Sequence, residues 1–239
     1  MSLQGKRVVV LGGTSGIGLA TAQAAAAAGA TLVVASSSQP RVDAALRTLP
    51  AGTTGHAVDL SKEDSIRDFY ERVGAFDHLV FTAGESLQLT PLASVDVAAA
   101  RRFFDLRYWG ALTAAKYGAG KLRRGGSIVF TGGSASSRPQ AGWALGASIC
   151  GAMEALTRAL AVELAPIRVN LVAPGFVRTD LWSNIDAKAR EAMFADIGGK
   201  LLVGRVGEAN EIAQAFVYLM SNGFMSGQIV NIDGGNSLV

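Results

Sequence analysis

The chain has 239 residues with a formal net charge of +3 at pH 7, and apolar residues make up 49% of it. This length fits one large α/β domain and is short for two. No stretch offers about 18 uninterrupted apolar residues and the first residues lack the apolar run of a signal peptide, so we expect no membrane association. The single cysteine excludes an internal disulfide and favours a reducing, cytoplasmic compartment. A basic cluster at Lys121, Arg123 and Arg124 is too small for a nucleic-acid surface, and we interpret it as a solvated loop.

Apolar strand segments alternate with helical segments along the chain. The predicted strands cover residues 7–11, 31–35, 54–59, 78–82, 127–131, 168–173 and 229–233. The predicted helices cover residues 16–28, 41–49, 62–73, 95–119, 146–165, 186–196 and 211–220. This alternation with short connections predicts a parallel sheet covered by helices on both faces. We therefore expect one doubly wound α/β domain over residues 1–239, with seven parallel strands.

A glycine-rich turn, LGGTSGIG, joins the first strand to the first helix. Glycine at its three spaced positions lets the chain turn tightly and lets the backbone approach a pyrophosphate. The following helix N-terminus supplies free N–H groups and the positive end of a helix dipole. The spacing is G-x-x-x-G-x-G. The residues predicted to bind a dinucleotide here are Gly12, Thr14, Ser15, Gly16, Ile17 and Gly18.

The turn resembles the T-G-x-x-x-G-I-G loop of the short-chain dehydrogenase/reductase family, with Leu11 in the position of the threonine. Further segments that resemble the family follow in family order, including TAG at 82–84, RVNLVAPGFVRTD at 168–180 and SGQIVNIDGG near the C-terminus. The resemblance covers nearly the whole chain and implies a Rossmann-type fold that binds a nicotinamide dinucleotide. It places at the cofactor the residues Asp59, Leu60, Ala83, Gly84, Pro174, Gly175, Val177 and Thr179.

The end of the second strand favours NADP over NAD. Family members that use NAD usually carry an acidic residue there, which binds the ribose 2′-hydroxyl. This chain instead has Ser36, Ser37 and Ser38, whose hydroxyls can donate to a 2′-phosphate, with Arg41 close in sequence. An ordinary polar turn with a solvated arginine is the alternative interpretation of the same residues.

The family's catalytic residues are absent from the positions where the resemblance places them. The tyrosine and lysine positions hold Gly146 and Cys150, the serine position holds Gly133 beside Ser134, and the asparagine position holds Arg107. The tyrosine of the family needs its lysine because an unperturbed phenol has a pKa of about 10. Glycine has no group that can take this proton-donating role.

Three residues remain candidates for catalysis, namely Arg107, Ser134 and Cys150. Arg107 holds its proton, but it can stabilise a developing oxyanion or replace the charge missing at position 150. Its alternative is an ion pair with Asp105 or another acid, and the alternative for Cys150 is a small buried packing residue. Neighbouring polar or aromatic candidates are Tyr108, Ser136, Trp143 and Ser148.

Two functions from different classes remain open. The first is an NADP-dependent oxidoreductase with atypical proton delivery, which acts on a small apolar carbonyl, enone or imine under a lid at residues 181–202. The second is an inactive NADP-binding protein that serves as a sensor or partner subunit. The resemblance implies a homodimer or homotetramer. We expect no metal site, because His56 and His78 lack further ligands at suitable spacing.

Overall fold

Seven parallel strands form the central sheet, as the sequence predicts. The computed structural model describes residues 1–85 and 89–239. The strands are β1 (Arg7–Leu11), β2 (Thr31–Ser36), β3 (Thr54–Ala57), β4 (Phe76–Phe81), β5 (Leu122–Thr131), β6 (Arg168–Pro174), β7 (Val177–Arg178), β8 (Gly207–Glu208) and β9 (Ile229–Ile232). Their order in the sheet is β3-β2-β1-β4-β5-β6-β9. The short strands β7 and β8, which are not predicted from the sequence, pair separately with each other.

Helices cover both faces of this sheet and join its strands. They are α1 (Gly16–Ala27), α2 (Gln39–Leu46), α3 (Glu63–Val73), α4 (Val97–Phe104), α5 (Ala111–Ala119), α6 (Ala144–Glu163), α7 (Ala187–Lys200) and α8 (Ala209–Ser221). Helix α6 is long and apolar enough to cross a membrane by length and composition alone. Such helices also occur in the cores of water-soluble folds, and α6 packs its residues Met153 and Leu156 into a core of this protein.

Strand β1 shows how one segment serves two hydrophobic cores. Val8 and Val10 pack with α1 and α8 on one face, whereas Val9 and Leu11 pack with α3, α5 and α6 on the other. Side chains of a strand alternate between its two faces, so a strand buried on both faces is apolar at every position. The uninterrupted apolar run in β1 is therefore a direct consequence of the doubly wound architecture.

Strand β5 begins earlier than predicted, and the expected solvated loop is wrong at Arg123. Arg123 lies inside β5, and its guanidinium forms an ion pair of 2.8 Å with the largely buried Asp77 of β4. The two histidines lie within strands, His56 in β3 and His78 in β4. His78 Nδ1 is 2.9 Å from the Ser127 hydroxyl, so this buried ring makes a side-chain hydrogen bond between β4 and β5.

The predicted long helix at residues 95–119 is interrupted. A six-residue π-helical segment, Asp105–Gly110, separates α4 from α5. At the end of this segment, Gly110 packs closely on the loop that follows β3. A Cβ on Gly110 would lie 2.5 Å from the Leu60 carbonyl oxygen. A π-helical turn changes the direction of side chains relative to a continuous α-helix, and such turns are frequent at functional sites. This segment carries Arg107.

Candidate functional site

A cleft of about 780 Å³ runs along the carboxyl ends of the parallel strands. Ligands of open α/β sheets bind at this edge, where the strand order reverses, and here β1 lies between β2 and β4. The predicted cofactor residues that line the cleft are Gly12, Thr14, Ser15, Gly16, Ile17, Gly18, Ser36, Ser37, Arg41, Asp59, Leu60, Ala83, Gly84, Pro174, Gly175, Val177 and Thr179. Ser38 does not belong to the lining, as far as the described residues go. It immediately precedes α2 and marks the start of that helix.

The glycine loop has the close backbone packing that a pyrophosphate cradle requires. Gly12 has a φ of +89°, and a Cβ there would lie 2.5 Å from the backbone nitrogen of Ala83. A Cβ on Gly18 would collide with the Gly12 carbonyl oxygen and the Thr82 hydroxyl. The loop leads into α1, whose first turn contains no acidic residue and whose Ser15 hydroxyl makes no capping hydrogen bond. The residues present therefore fit an anionic dinucleotide.

Asp59 is one of the acidic residues that line the cleft. Asp59 accepts hydrogen bonds from the backbone amide and the hydroxyl of Ser61, and Lys62 lies 3.3 Å away. The Ser61 hydroxyl is the main cause that lowers the pKa of Asp59, so this carboxylate is charged at neutral pH. It is available to accept a hydrogen bond from an amino group of a ligand.

Gly146 leaves an opening in the cleft wall. It is buried near the start of α6 and lines the cleft, yet a Cβ built on it would meet no atom within 4 Å in the described structure. Cys150 follows one turn later on the same face and also lines the cleft. Burial raises the pKa of the Cys150 thiol to about 11, so it is neutral near pH 7. Helix α6 thus presents a space and a neutral thiol where the resemblance implies a phenol and an ammonium group.

Ser134 lies at the cleft beside Gly133. Its side chain is buried, and its hydroxyl accepts a 3.2 Å hydrogen bond from the Asn236 amide in the C-terminal segment. Asn236 is not predicted from the sequence, because nothing local connects two residues so far apart in the chain. Ser134 can still donate its own proton to a ligand in the cleft.

Three of the neighbouring candidates, for each of which the sequence favours a structural role, lie outside the cleft lining in the described structure. Ser136 donates a hydrogen bond to Glu154, Ser148 is exposed, and Tyr108 packs against the core. Trp143 does line the cleft, and its ring centroid lies 5.6 Å from that of Phe176.

Arg107 extends from the π-helical segment into the cleft. Its guanidinium lies 5.0 Å from the Phe103 ring centroid, and its Nη2 donates to the Glu85 carbonyl oxygen. Its Nε is shielded from solvent and has no hydrogen-bond partner within the described residues. None of the ion pairs found in the described ranges involves Arg107, so the alternative of an ion pair with Asp105 or another acid does not hold for the part of the chain that is described.

The predicted lid forms a short turn, Asp180–Trp182, followed by α7. Trp182 stacks on Phe176 with ring centroids 5.7 Å apart and donates its indole N–H to the Val177 carbonyl oxygen. Phe194 packs with Phe176 and Trp182 in the lid's own small core. The apolar residues of this region that do line the cleft are Leu89, Trp143, Phe176, Leu181 and Trp182.

Comparison with known proteins places the chain among reductases and dehydrogenases. A family model described as enoyl-(acyl carrier protein) reductase matches residues 12–237. The chain is 34% identical to the short-chain dehydrogenase/reductase ATR9 of Stachybotrys chlorohalonatus, over 98% of both chains. It is 37% identical to a small-chain dehydrogenase crystallised in complex with NADPH, with 98% and 99% of the two chains covered and a TM-score of 0.84. The MalC reductase/Diels–Alderase from Malbranchea aurantiaca superposes with a TM-score of 0.92 at 30% identity, over 99% of this chain and 98% of that one.

Proposed function

The chain belongs to the short-chain dehydrogenase/reductase family, and on this premise we propose that it is an NADPH-dependent reductase of a small, apolar acceptor. We further propose that this acceptor takes up hydride without an acid from the tyrosine position. The opening over Gly146 is the observation that carries the proposal, because it lies in an otherwise well-formed cofactor cleft.

The residues that would hold NADPH divide into three groups along the cleft. The glycine loop and the start of α1 would hold the pyrophosphate, and Asp59 would accept a hydrogen bond from the adenine amino group. Ser36, Ser37 and Arg41 would bind the 2′-phosphate, since the described end of β2 presents no acid that would repel it. When bound, the cofactor supplies a hydride. The relative crystallised with NADPH supports this choice of cofactor.

The nature of the acceptor follows from what the cleft lacks. Reduction of a simple ketone leaves an alkoxide that needs a proton from a positioned acid. Reduction of a protonated imine needs none, and conjugate reduction of an enone leaves a more stable enolate that a hydroxyl donor such as Ser134 can stabilise. Cys150 is a poor acid for this purpose, because burial raises its pKa to about 11. An enone or imine is therefore favoured over a ketone.

The test uses three acceptors with one apolar ring skeleton: the saturated ketone, the α,β-unsaturated ketone and the cyclic imine. Oxidation of NADPH is followed by absorbance with each, at equal concentrations. We expect turnover of the enone or the imine to exceed that of the ketone. Equal turnover of the ketone would refute the acceptor class, and NADPH binding without turnover of any of the three would refute the reductase.

A second candidate function is a non-catalytic NADPH-binding protein, which acts as a sensor or partner subunit. The observation that favours it is the pairing of Gly146 with a neutral Cys150, which gives the cleft face of α6 no ordinary acid near pH 7. It predicts NADPH binding without turnover, together with NADPH-dependent association with an active relative. Size-exclusion chromatography of such a mixture, with and without NADPH, distinguishes it from the first proposal.

We also propose that the protein is a cytoplasmic homodimer or homotetramer. Exposed apolar side chains on the α4–α6 side support the assembly, with Val97, Trp109 and Val162 each more than half exposed. The compartment is supported by the single cysteine. Light scattering of the wild-type protein and of Trp109→Asp tests the assembly. A monomeric wild-type protein at micromolar concentration would count against it.

A further inference from the structure

We infer that Arg107 supplies the cation that position 150 of α6 lacks, and that it binds the hydroxyl groups of the cofactor ribose nearest the reacting ring. The inference rests on the proposed binding of NADPH and adds a residue to it. Arg107 would then be a cofactor-binding residue. It would take the role of the family's lysine from the π-helical segment, whereas the lysine position itself lies in α6.

The guanidinium of Arg107 is held in place before any ligand arrives. One side lies over the Phe103 ring, and Nη2 donates to the Glu85 carbonyl oxygen. The guanidinium also lies directly on the backbone at Gly84, where a Cβ would be 2.7 Å from Cζ and Nη1. A cation fixed in this way loses little side-chain freedom when it binds a ligand.

The hydrogen-bonding capacity of this guanidinium is only partly used. Its buried Nε has no partner, and none of the carboxylates in residues 1–85 and 89–239 forms an ion pair with it. A charged group removed from water without compensating hydrogen bonds costs free energy. Hydroxyl or anionic oxygens of a ligand in the cleft would supply the missing partners.

The position of Arg107 assigns it to the cofactor rather than to the lid. Gly84 comes directly after Ala83 in the chain, and the backbone nitrogen of Ala83 packs against Gly12 of the phosphate loop. The guanidinium is therefore part of a continuous packing path that begins at the pyrophosphate cradle. The apolar lid side chains, such as Trp182, belong to a separate cluster around Phe176.

Cys150 and Arg107 reach the same region of the cleft from different elements. Cys150 Sγ would be 3.1 Å from a Cβ on Gly133, at the end of β5, and both Cys150 and Arg107 line the cleft. The positive charge of Arg107 acts on the Cys150 thiol and partly opposes the rise of its pKa that burial causes. A lysine at position 150 would therefore bring a second cation close to Arg107, and removal of Arg107 would leave room for its charge.

The experiment measures binding of two ligands by calorimetric titration. NADPH carries both halves of the cofactor, whereas 2′,5′-ADP carries only the adenosine half and does not reach Arg107. For Arg107→Met we expect the Kd of NADPH to rise about tenfold, as for the loss of one charge-assisted hydrogen bond. The Kd of 2′,5′-ADP stays unchanged. Arg101→Met, which removes an exposed arginine of α4, is the matched control and should bind both ligands as the wild type does.

The decisive variant restores a cation at the other position. Cys150→Lys in the Arg107→Met background should return the NADPH affinity to near the wild-type value. Gly84→Ala tests the same contact without loss of charge, because its methyl group displaces the guanidinium, and it should weaken NADPH binding selectively. Thermal unfolding of each variant confirms that it is folded.

Each other outcome has a defined meaning. Unchanged NADPH affinity in Arg107→Met overturns the inference, and equal losses for both ligands would make Arg107 structural. Failure of a folded Cys150→Lys, Arg107→Met double variant to recover binding overturns the shared role of the two positions. If the wild-type protein binds neither NADPH nor 2′,5′-ADP, the proposed function itself fails, and this result is distinguishable from all the others.

Discussion

Filling the space at Gly146 should stabilise the protein. Gly146 lies within α6, and a Cβ there meets no atom within 4 Å of the described structure. Alanine in place of glycine inside a helix stabilises by roughly 0.5–1 kcal/mol, because glycine has greater conformational freedom in the unfolded chain. For a chain of this size, this corresponds to a rise in Tm of about 1–4 °C. Gly151 is also free of contacts at its Cβ, so Gly151→Ala is the matched control and should be stabilising by a similar amount.

Gly146→Tyr extends the same reasoning into the cleft. A tyrosine side chain would project from α6 into a cleft of about 780 Å³, so steric strain in the folded state should be small. Helix propensity favours tyrosine over glycine by roughly 0.4 kcal/mol. We therefore expect Gly146→Tyr to unfold at or above the wild-type Tm and to bind NADPH unchanged. Turnover of bulky acceptors should fall, because the ring occupies space that they would use.

The assays are thermal unfolding by circular dichroism, NADPH titration, and turnover with a small and a bulky acceptor of one chemical class. A fall in Tm for Gly146→Ala, with Gly151→Ala stabilised as expected, would falsify the assignment of open space at this position. Equal loss of turnover for the small and the bulky acceptor would show that the tyrosine ring affects something other than the volume available to the substrate.

Three further predictions follow from single sites. Gly18→Ala should abolish NADPH binding in calorimetric titration, because its methyl group would collide with the Gly12 carbonyl oxygen, and a wild-type affinity would contradict the loop geometry. The rate of Cys150 alkylation by iodoacetamide should rise with pH, and the midpoint of this rise should lie near pH 11, since burial raises the thiol pKa to about 11. A midpoint below pH 9 would refute that burial. Asp77→Asn should destabilise the fold by about 2 kcal/mol at pH 7 in urea unfolding. Burial alone would raise the pKa of Asp77, but hydrogen bonds from a backbone amide and Arg123 lower it overall, so its stabilisation should be complete above about pH 4 and decline as pH falls further. A stability difference from wild type that does not change with pH would contradict this.

The cofactor half of the cleft follows from the sequence because its determinants are local. Gly12 and Gly18 lie six residues apart in one turn, and the strand before it and the helix after it are clear from hydropathy alone. The same locality explains why Ser38, predicted at the cofactor, lies just outside the cleft lining in the described structure. One residue more or less at a strand end decides whether a side chain enters the cleft or marks the start of the next helix, and pattern alone fixes such ends poorly.

The half of the cleft around Ser134 and Arg107 depends on contacts between residues that are far apart in the chain. The hydrogen bond from Asn236 to Ser134 and the packing of Arg107 on Gly84 carry no local signal. The early start of β5 is likewise not evident from the local sequence, because it involves a contact with a residue distant in the chain. Arg123 looks like a solvated residue until the buried Asp77 of the neighbouring strand is known to pair with it. A π-helical turn likewise has no distinctive hydrophobic period in so short a segment, although it determines where Arg107 points.

The positions of Gly146 and Arg107 together separate proton delivery from cofactor binding. The family resemblance assigns these two tasks to residues one turn apart on one helix. A phenol and an ammonium group one turn apart couple proton delivery to the binding of the cofactor, because the same charge serves both. Here the cation reaches the cleft from the π-helical segment, while α6 contributes a space. Cofactor binding can then be retained without an acid at the reacting atom. This arrangement suits an acceptor that brings its own proton or needs none at the moment of hydride transfer, and it leaves the volume over Gly146 for the substrate.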